Sequence, residues 1–109
     1  MPLQAADDSN FQALTEAAPL TVVKYYADWC GSCRLFAPKF KALADKPENG
    51  GIAFLDVDAE KATEARRAAR VSNLPYVALF RNGQLLEGDF TSKPEYVQEL
   101  IDKHRSVRA

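Results

Sequence analysis

Residues 20–40, LTVVKYYADWCGSCRLFAPKF, change hydrophobic period in their middle. Residues 20–27 are rich in β-branched and aromatic side chains, as a strand requires. From Cys30 onward Cys33, Phe36, Phe40 and Leu43 recur at helical spacing, and Pro38 should kink that helix. A strand that hands over to a helix within a few residues must lie in a layered α/β architecture, with the helix folded back over the sheet. Both cysteines of the chain, Cys30 and Cys33, sit at the handover.

The rest of the chain extends this pattern. DDSNFQALTEAA, residues 7–18, places Asp and Ser at cap positions before Phe11, Leu14 and Ala18 at helical spacing. IAFLDV, residues 52–57, reads as a buried strand, and residues 59–70 read as a helix with Ala62, Ala65 and Ala69 on one side. Two strand-like runs, YVALF and QLLEGDF, flank Asn82 and Gly83, a strong hairpin signal. SKPE, residues 92–95, has the form of a capping box and opens a last helix with Val97, Leu100, Ile101 and His104 on one stripe. The first three strands are separated by helices, which predicts parallel pairing, and the hairpin adds an antiparallel edge. The expected fold is one α/β domain over residues 1–109. Its mixed central sheet has four to five strands, the fifth a short edge around residues 2–5, with four helices covering both faces. A hydrophobic content of 47% is enough for a core.

Several function classes are disfavoured. A net charge of -1 gives no general affinity for nucleic acid or acidic membranes. The one basic concentration, ARRAAR at residues 65–70, reads as the solvated face of a helix. No stretch approaches the roughly 20 apolar residues of a membrane span. The start, MPLQAADDSN, lacks the basic and apolar regions of a secretory signal. Two cysteines are too few for a disulfide-stapled secreted scaffold, so the expected compartment is reducing, the cytoplasm by default. A mononuclear zinc site needs four ligands, and the chain offers one cysteine pair and one histidine, His104. A metal cluster shared between two chains and a pair of unrelated buried thiols remain as alternatives.

The favoured reading of the pair is chemical. Cys30 lies where a helix begins, beside unpaired backbone N–H groups and the positive end of the helix dipole, and both stabilise a thiolate. Two intervening residues let Cys33 reach back to Cys30 within the first turn. Cys30 is then expected to be an exposed nucleophile and Cys33 a more buried resolving thiol.

YADWCGSC followed by a proline-kinked helix resembles the active-site segment of the thioredoxin family, usually W-C-G-P-C. The similarity extends through DVDAE, SNLPYVALFRNGQ and the last amphipathic helix. It implies a thioredoxin fold and thiol–disulfide exchange, with Cys30 attacking a protein disulfide and Cys33 resolving the mixed disulfide. It implies no bound cofactor or metal, disulfide-containing clients, a reductase or thiol pool as electron source, and a monomer. It assigns Trp29, Gly31, Ser32, Leu74, Pro75 and Thr91 to the client-facing surface, with Pro75 in a cis peptide bond. It matches Asp58 to an acid that holds the Trp29 indole, with a helix cap as the plainer reading. Departures are informative. Ser32 replaces the usual proline and offers the thiolate a hydroxyl. Tyr26 replaces a second tryptophan. Thr91 falls near a usual glycine and should narrow the groove. Lys24 stands where the family has a buried acid behind the resolving cysteine, and Phe54 where it has that acid's lysine. Lys24 either snorkels to the surface or pairs with Asp56 on the next strand, and its charge would favour a thiolate. Two other readings stay open: a redox-regulated protein-binding module, and a disulfide oxidase or isomerase in an oxidising compartment.

Overall fold

The computed structural model describes residues 3–105. Five strands, β1 (Leu3–Ala6), β2 (Thr21–Tyr26), β3 (Ala53–Asp58), β4 (Tyr76–Arg81) and β5 (Gln84–Phe90), form one sheet in the order β1-β3-β2-β4-β5. The helices are α1 (Phe11–Glu16), α2 (Gly31–Asp45), α3 (Thr63–Ala68) and α4 (Pro94–Arg105), with a 3-10 turn at Pro47–Asn49. β1 is the expected edge strand, though Pro2 lies outside the described residues.

The central strand β2 is buried on both faces, which explains why its sequence is apolar apart from the buried Thr21 and Lys24. Val23 and Tyr25 face one layer with Phe11 of α1 and Ala65 of α3. Val22 faces the other with Phe36 and Phe40 of α2 and Val97 and Ile101 of α4. The Tyr25 hydroxyl donates to the Ala65 carbonyl at 2.8 Å, in the last turn of α3, and so ties that helix to the sheet. α2 continues through Pro38, which cannot donate to the carbonyl one turn earlier.

One expected pairing is wrong. β2 and β3 are parallel, but β4 runs antiparallel to β2, with Tyr25 opposite Tyr76 and Thr21 opposite Phe80. The cause is the length of α3. A twelve-residue helix over residues 59–70 would return the chain along β3, but Asp58 turns residues 59–61 and the helix keeps six residues. Six helical residues rise about 9 Å, whereas a six-residue strand spans about 20 Å. The chain re-enters the sheet at the end it left. The hairpin forms as expected, with Asn82 at φ 50° and Gly83 at φ 85°.

Two caps also differ from expectation. α1 starts after Asn10 with no side-chain cap, and the Asp8 carboxylate instead accepts from the Glu64 and Ala65 N–H groups in the first turn of α3. Before α4, the hydroxyl accepting a backbone N–H is that of Thr91, from Lys93 at 3.1 Å, and not that of Ser92.

Candidate active site

The handover from β2 to α2 places the cysteines. Cys30 is the N-cap residue, in extended backbone conformation, and its Sγ accepts from the Cys33 N–H at 3.2 Å. The sulfur thus takes the place that a Ser or Asp oxygen fills at an ordinary helix start. A thiolate there receives the same N–H and the favourable end of the dipole. Cys30 and Cys33 are joined by a disulfide across a Cα–Cα distance of 5.2 Å. The Ser32 hydroxyl lies 3.5 Å from Cys30 Sγ. A Cβ at Gly31 would meet nothing within 4 Å, so open space lies beside the pair.

The exposure expected of Cys30 is absent in this oxidised state. Cys30 is 5% exposed and Cys33 2%, and both pack in a small cluster with Ala27, Tyr26 and Leu74. Leu74 comes from the turn before β4, where the Leu74–Pro75 peptide bond is cis. The Pro75 carbonyl accepts from the Thr91 N–H at 3.1 Å, which ties this turn to the end of β5. Thr91 is buried with its hydroxyl bound to Lys93 N–H, so it does not stand out into a groove. The neighbouring Phe90 is exposed instead.

Trp29 is 66% exposed, and its indole N–H donates to Glu60 Oε2 at 2.8 Å. The partner is therefore Glu60 and not Asp58. The Asp58 carboxylate accepts from the backbone N–H groups of Glu60 and Lys61 at 2.9 and 3.3 Å, and these bonds saturate Oδ1. Asp58 shapes the turn that delivers Glu60. The signal for Glu60 was in the sequence, two residues past an Asp that favours a tight side-chain turn.

Lys24 does not snorkel. It is 2% exposed, and its Nζ lies 3.2 Å from Asp56 Oδ1, its register partner on β3. The contact is an ion pair without hydrogen-bond alignment, since Asp56 Oδ1 is buried with no aligned donor. The ammonium also sits 5.5 Å from the Tyr26 ring centre and 5.6 Å from that of Phe40. Asp56 keeps 27% of its side chain exposed. Burial pushes its carboxyl above the usual range, and Lys24 opposes that shift. Lys24, Asp56 and Cys33 line one open cavity of about 350 Å³, together with Tyr26, Arg34 and Ala37. Phe54, in place of the family's lysine, is core.

The family model described as Thioredoxin matches residues 2–103. The chain belongs to the thioredoxin family. It is 36% identical over 99 residues to Thioredoxin Asp f 28 of Aspergillus fumigatus, covering 91% of this chain and 87% of that protein. It is 30% identical to Thioredoxin-1 of Schizosaccharomyces pombe, over 93% of this chain and 96% of that one. The crystal structure of Malassezia sympodialis thioredoxin superposes with a TM-score of 0.85 at 25% identity, covering 95% and 94% of the two chains. With the C-x-x-C pair at the start of α2, this family membership makes the chain a thiol–disulfide oxidoreductase acting on protein disulfides.

Proposed function

We propose that the chain is a monomeric reductant of client disulfides in a reducing compartment, the cytoplasm. The observation that carries this reading is the Cys30 sulfur capping α2, where the Cys33 N–H already points at it. The Cys30 thiolate attacks one sulfur of a client disulfide. A Cys30–client bond forms, the client S–S bond breaks, and the first client thiolate leaves. Cys33 then gives up its proton and attacks Cys30 Sγ. The Cys30–Cys33 bond forms and the second client thiolate leaves. Two electrons pass to the client, and a reductase or thiol pool returns the pair to the dithiol. No bound cofactor takes part.

The other residues fall into two groups. Trp29, Gly31, Ser32, Leu74 and Pro75 belong to the face around the disulfide that a client meets, and Thr91 lies behind it. Trp29 and Leu74 are its apolar contacts, Thr91 braces Pro75 from behind, and Asp58 positions Trp29 through Glu60. Lys24 and Asp56 lie behind Cys33. The lysine's charge favours a thiolate, and Asp56 keeps the charge tolerable in the interior.

The test is covalent trapping. Cys33→Ser should accumulate mixed disulfides with clients, because attack proceeds and resolution cannot. Cys30→Ser should trap none. Equal trapping by both variants would overturn the division of roles.

A further inference from the structure

We propose that Arg66 and Arg70 form a docking site for an acidic segment flanking the disulfide of the client. The inference rests on the dithiol reading above and extends it to a class of client. Both arginines lie at the C-terminal end of α3, around an open cavity of about 460 Å³ lined by Thr63, Arg66, Arg67, Arg70 and Val71. Arg67 is taken by Glu64 at 2.9 Å. Neither the Arg66 nor the Arg70 side chain has an ion-pair or hydrogen-bond partner among the described residues, so two guanidinium groups stand free on one side of a chain whose net charge is -1.

The backbone points the same way. Arg70 has φ 56°, in the left-handed region, where its N–H bonds the Arg67 carbonyl and the next N–H, of Val71, bonds that of Arg66. This helix ending favours glycine, and an arginine there is strained. The dipole of α3 would be served by Arg66 and Arg67 within its last turn, and it does not account for a further arginine beyond the helix end. The Arg70 side chain, strained at its backbone and unpartnered among the described residues, is available for a contact outside the chain.

Position supplies the link to the chemistry. Val71 lines the basic cavity, and Leu74, three residues on, covers the disulfide. Three residues of chain span at most about 10 Å. A client segment whose disulfide meets Cys30 therefore needs only a few flanking residues to bring a carboxylate to this cavity.

The test uses reduced protein and three disulfide peptides of equal length whose flanks carry Glu, Gln or Lys, with single-turnover rates at low and high salt. The wild type should reduce the Glu-flanked peptide about three- to tenfold faster than the Gln-flanked one at low salt, and the preference should collapse at high salt. Arg66→Gln/Arg70→Gln should erase the preference while keeping the rate on the Gln-flanked peptide. Arg70→Gly should raise Tm, by relieving the backbone, and still weaken the preference. Arg70→Lys should retain most of it. Lys41→Gln, which removes one positive charge from α2, should leave the preference unchanged. A wild type indifferent to the flanks, or a preference that survives the double substitution, would overturn the docking site. Failure to reduce any of the three peptides would instead overturn the dithiol reading beneath it.

Discussion

Removing either member of the Lys24–Asp56 pair should cost unequal amounts, and the structure sets the order. At 3.2 Å and an effective dielectric constant near 20, the attraction is about 5 kcal/mol. It is offset by the several kcal/mol needed to bring an ammonium into the interior. Asp56→Asn removes the charge–charge attraction and leaves a lysine that is 2% exposed, with the Tyr26 and Phe40 rings and a neutral amide beside it. The expected loss is about 3–5 kcal/mol. Lys24→Met leaves a carboxylate with 27% of its side chain in contact with solvent, and the loss should be about 1–2 kcal/mol. Lys24→Met/Asp56→Asn removes both charges and should return to within about 1 kcal/mol of the wild type. Urea unfolding at constant m-value reads all three. The pH dependence adds a sign. Asp56 is raised in the folded state, so its contribution is fully present below the ordinary carboxylate range and is lost as pH rises through the folded value. Without Lys24 that value climbs further and the loss covers a wider window. The cost of Lys24→Met should therefore be smaller near pH 4 than near pH 7. A larger loss for Lys24→Met than for Asp56→Asn, or single losses that simply add in the double variant, would refute the assignment of a buried, mutually dependent pair.

Other consequences are simpler to read. Lys24→Met should also raise the apparent pKa of the coupled thiol pair, followed as thiolate absorbance against pH, and a titration superimposable on the wild type would remove the lysine from the chemistry. Ser32→Pro deletes the hydroxyl 3.5 Å from Cys30 Sγ, and equilibration with glutathione should show a couple more reducing by a few tens of millivolts, where about 30 mV is 1.4 kcal/mol. Tyr25→Phe leaves the Ala65 carbonyl without its side-chain donor and should lower stability by about 1–2 kcal/mol in denaturant melts, with the thiol titration unchanged. Glu87 is held below its ordinary range chiefly by the hydrogen bond from His104 and then by that from Lys103; its contribution is present above about pH 4.5 and lost as pH falls through its folded value, so Glu87→Gln should flatten the acid limb of the stability curve.

Much of the fold was legible because local signals agreed with the tertiary solution. The run over residues 20–27 has no polar face to show apart from Thr21 and Lys24, and β2 is covered on both sides. The alanines at 62, 65 and 69 mark a helix lying close against a sheet, and all three are buried. Asn82–Gly83 needs positive φ at both positions and has it. The direction of β4 was not legible by the same means. It depends on where α3 begins, and that is set by Asp58 drawing the next two N–H groups into a turn and by Asp8, more than fifty residues earlier, capping the shortened helix. A cap supplied across the chain leaves no trace in local spacing.

The site divides along the same line. The place of Cys30 follows from the change of period alone, since a residue at the last extended position before a helix has its side chain beside the first free N–H groups. The burial of Cys30 does not follow, because its cover is Leu74, brought from the other side of the sheet by the turn into β4. Lys24 alternates with Val22, which packs under α2, but its state depends on parallel register with β3, which sets Asp56 opposite it. The same register explains why the pair is tolerated. Asp56 sits where the cavity beside Cys33 lets water reach part of its carboxylate, while Lys24 lies beneath Phe40. Burial raises the Asp56 carboxyl and the Lys24 ammonium opposes that rise, so each charge is tolerated in the interior only beside the other. Under the proposed reading, the charge behind the cysteines is set by a lysine on one strand and its acid on the next, held together by the β2–β3 register.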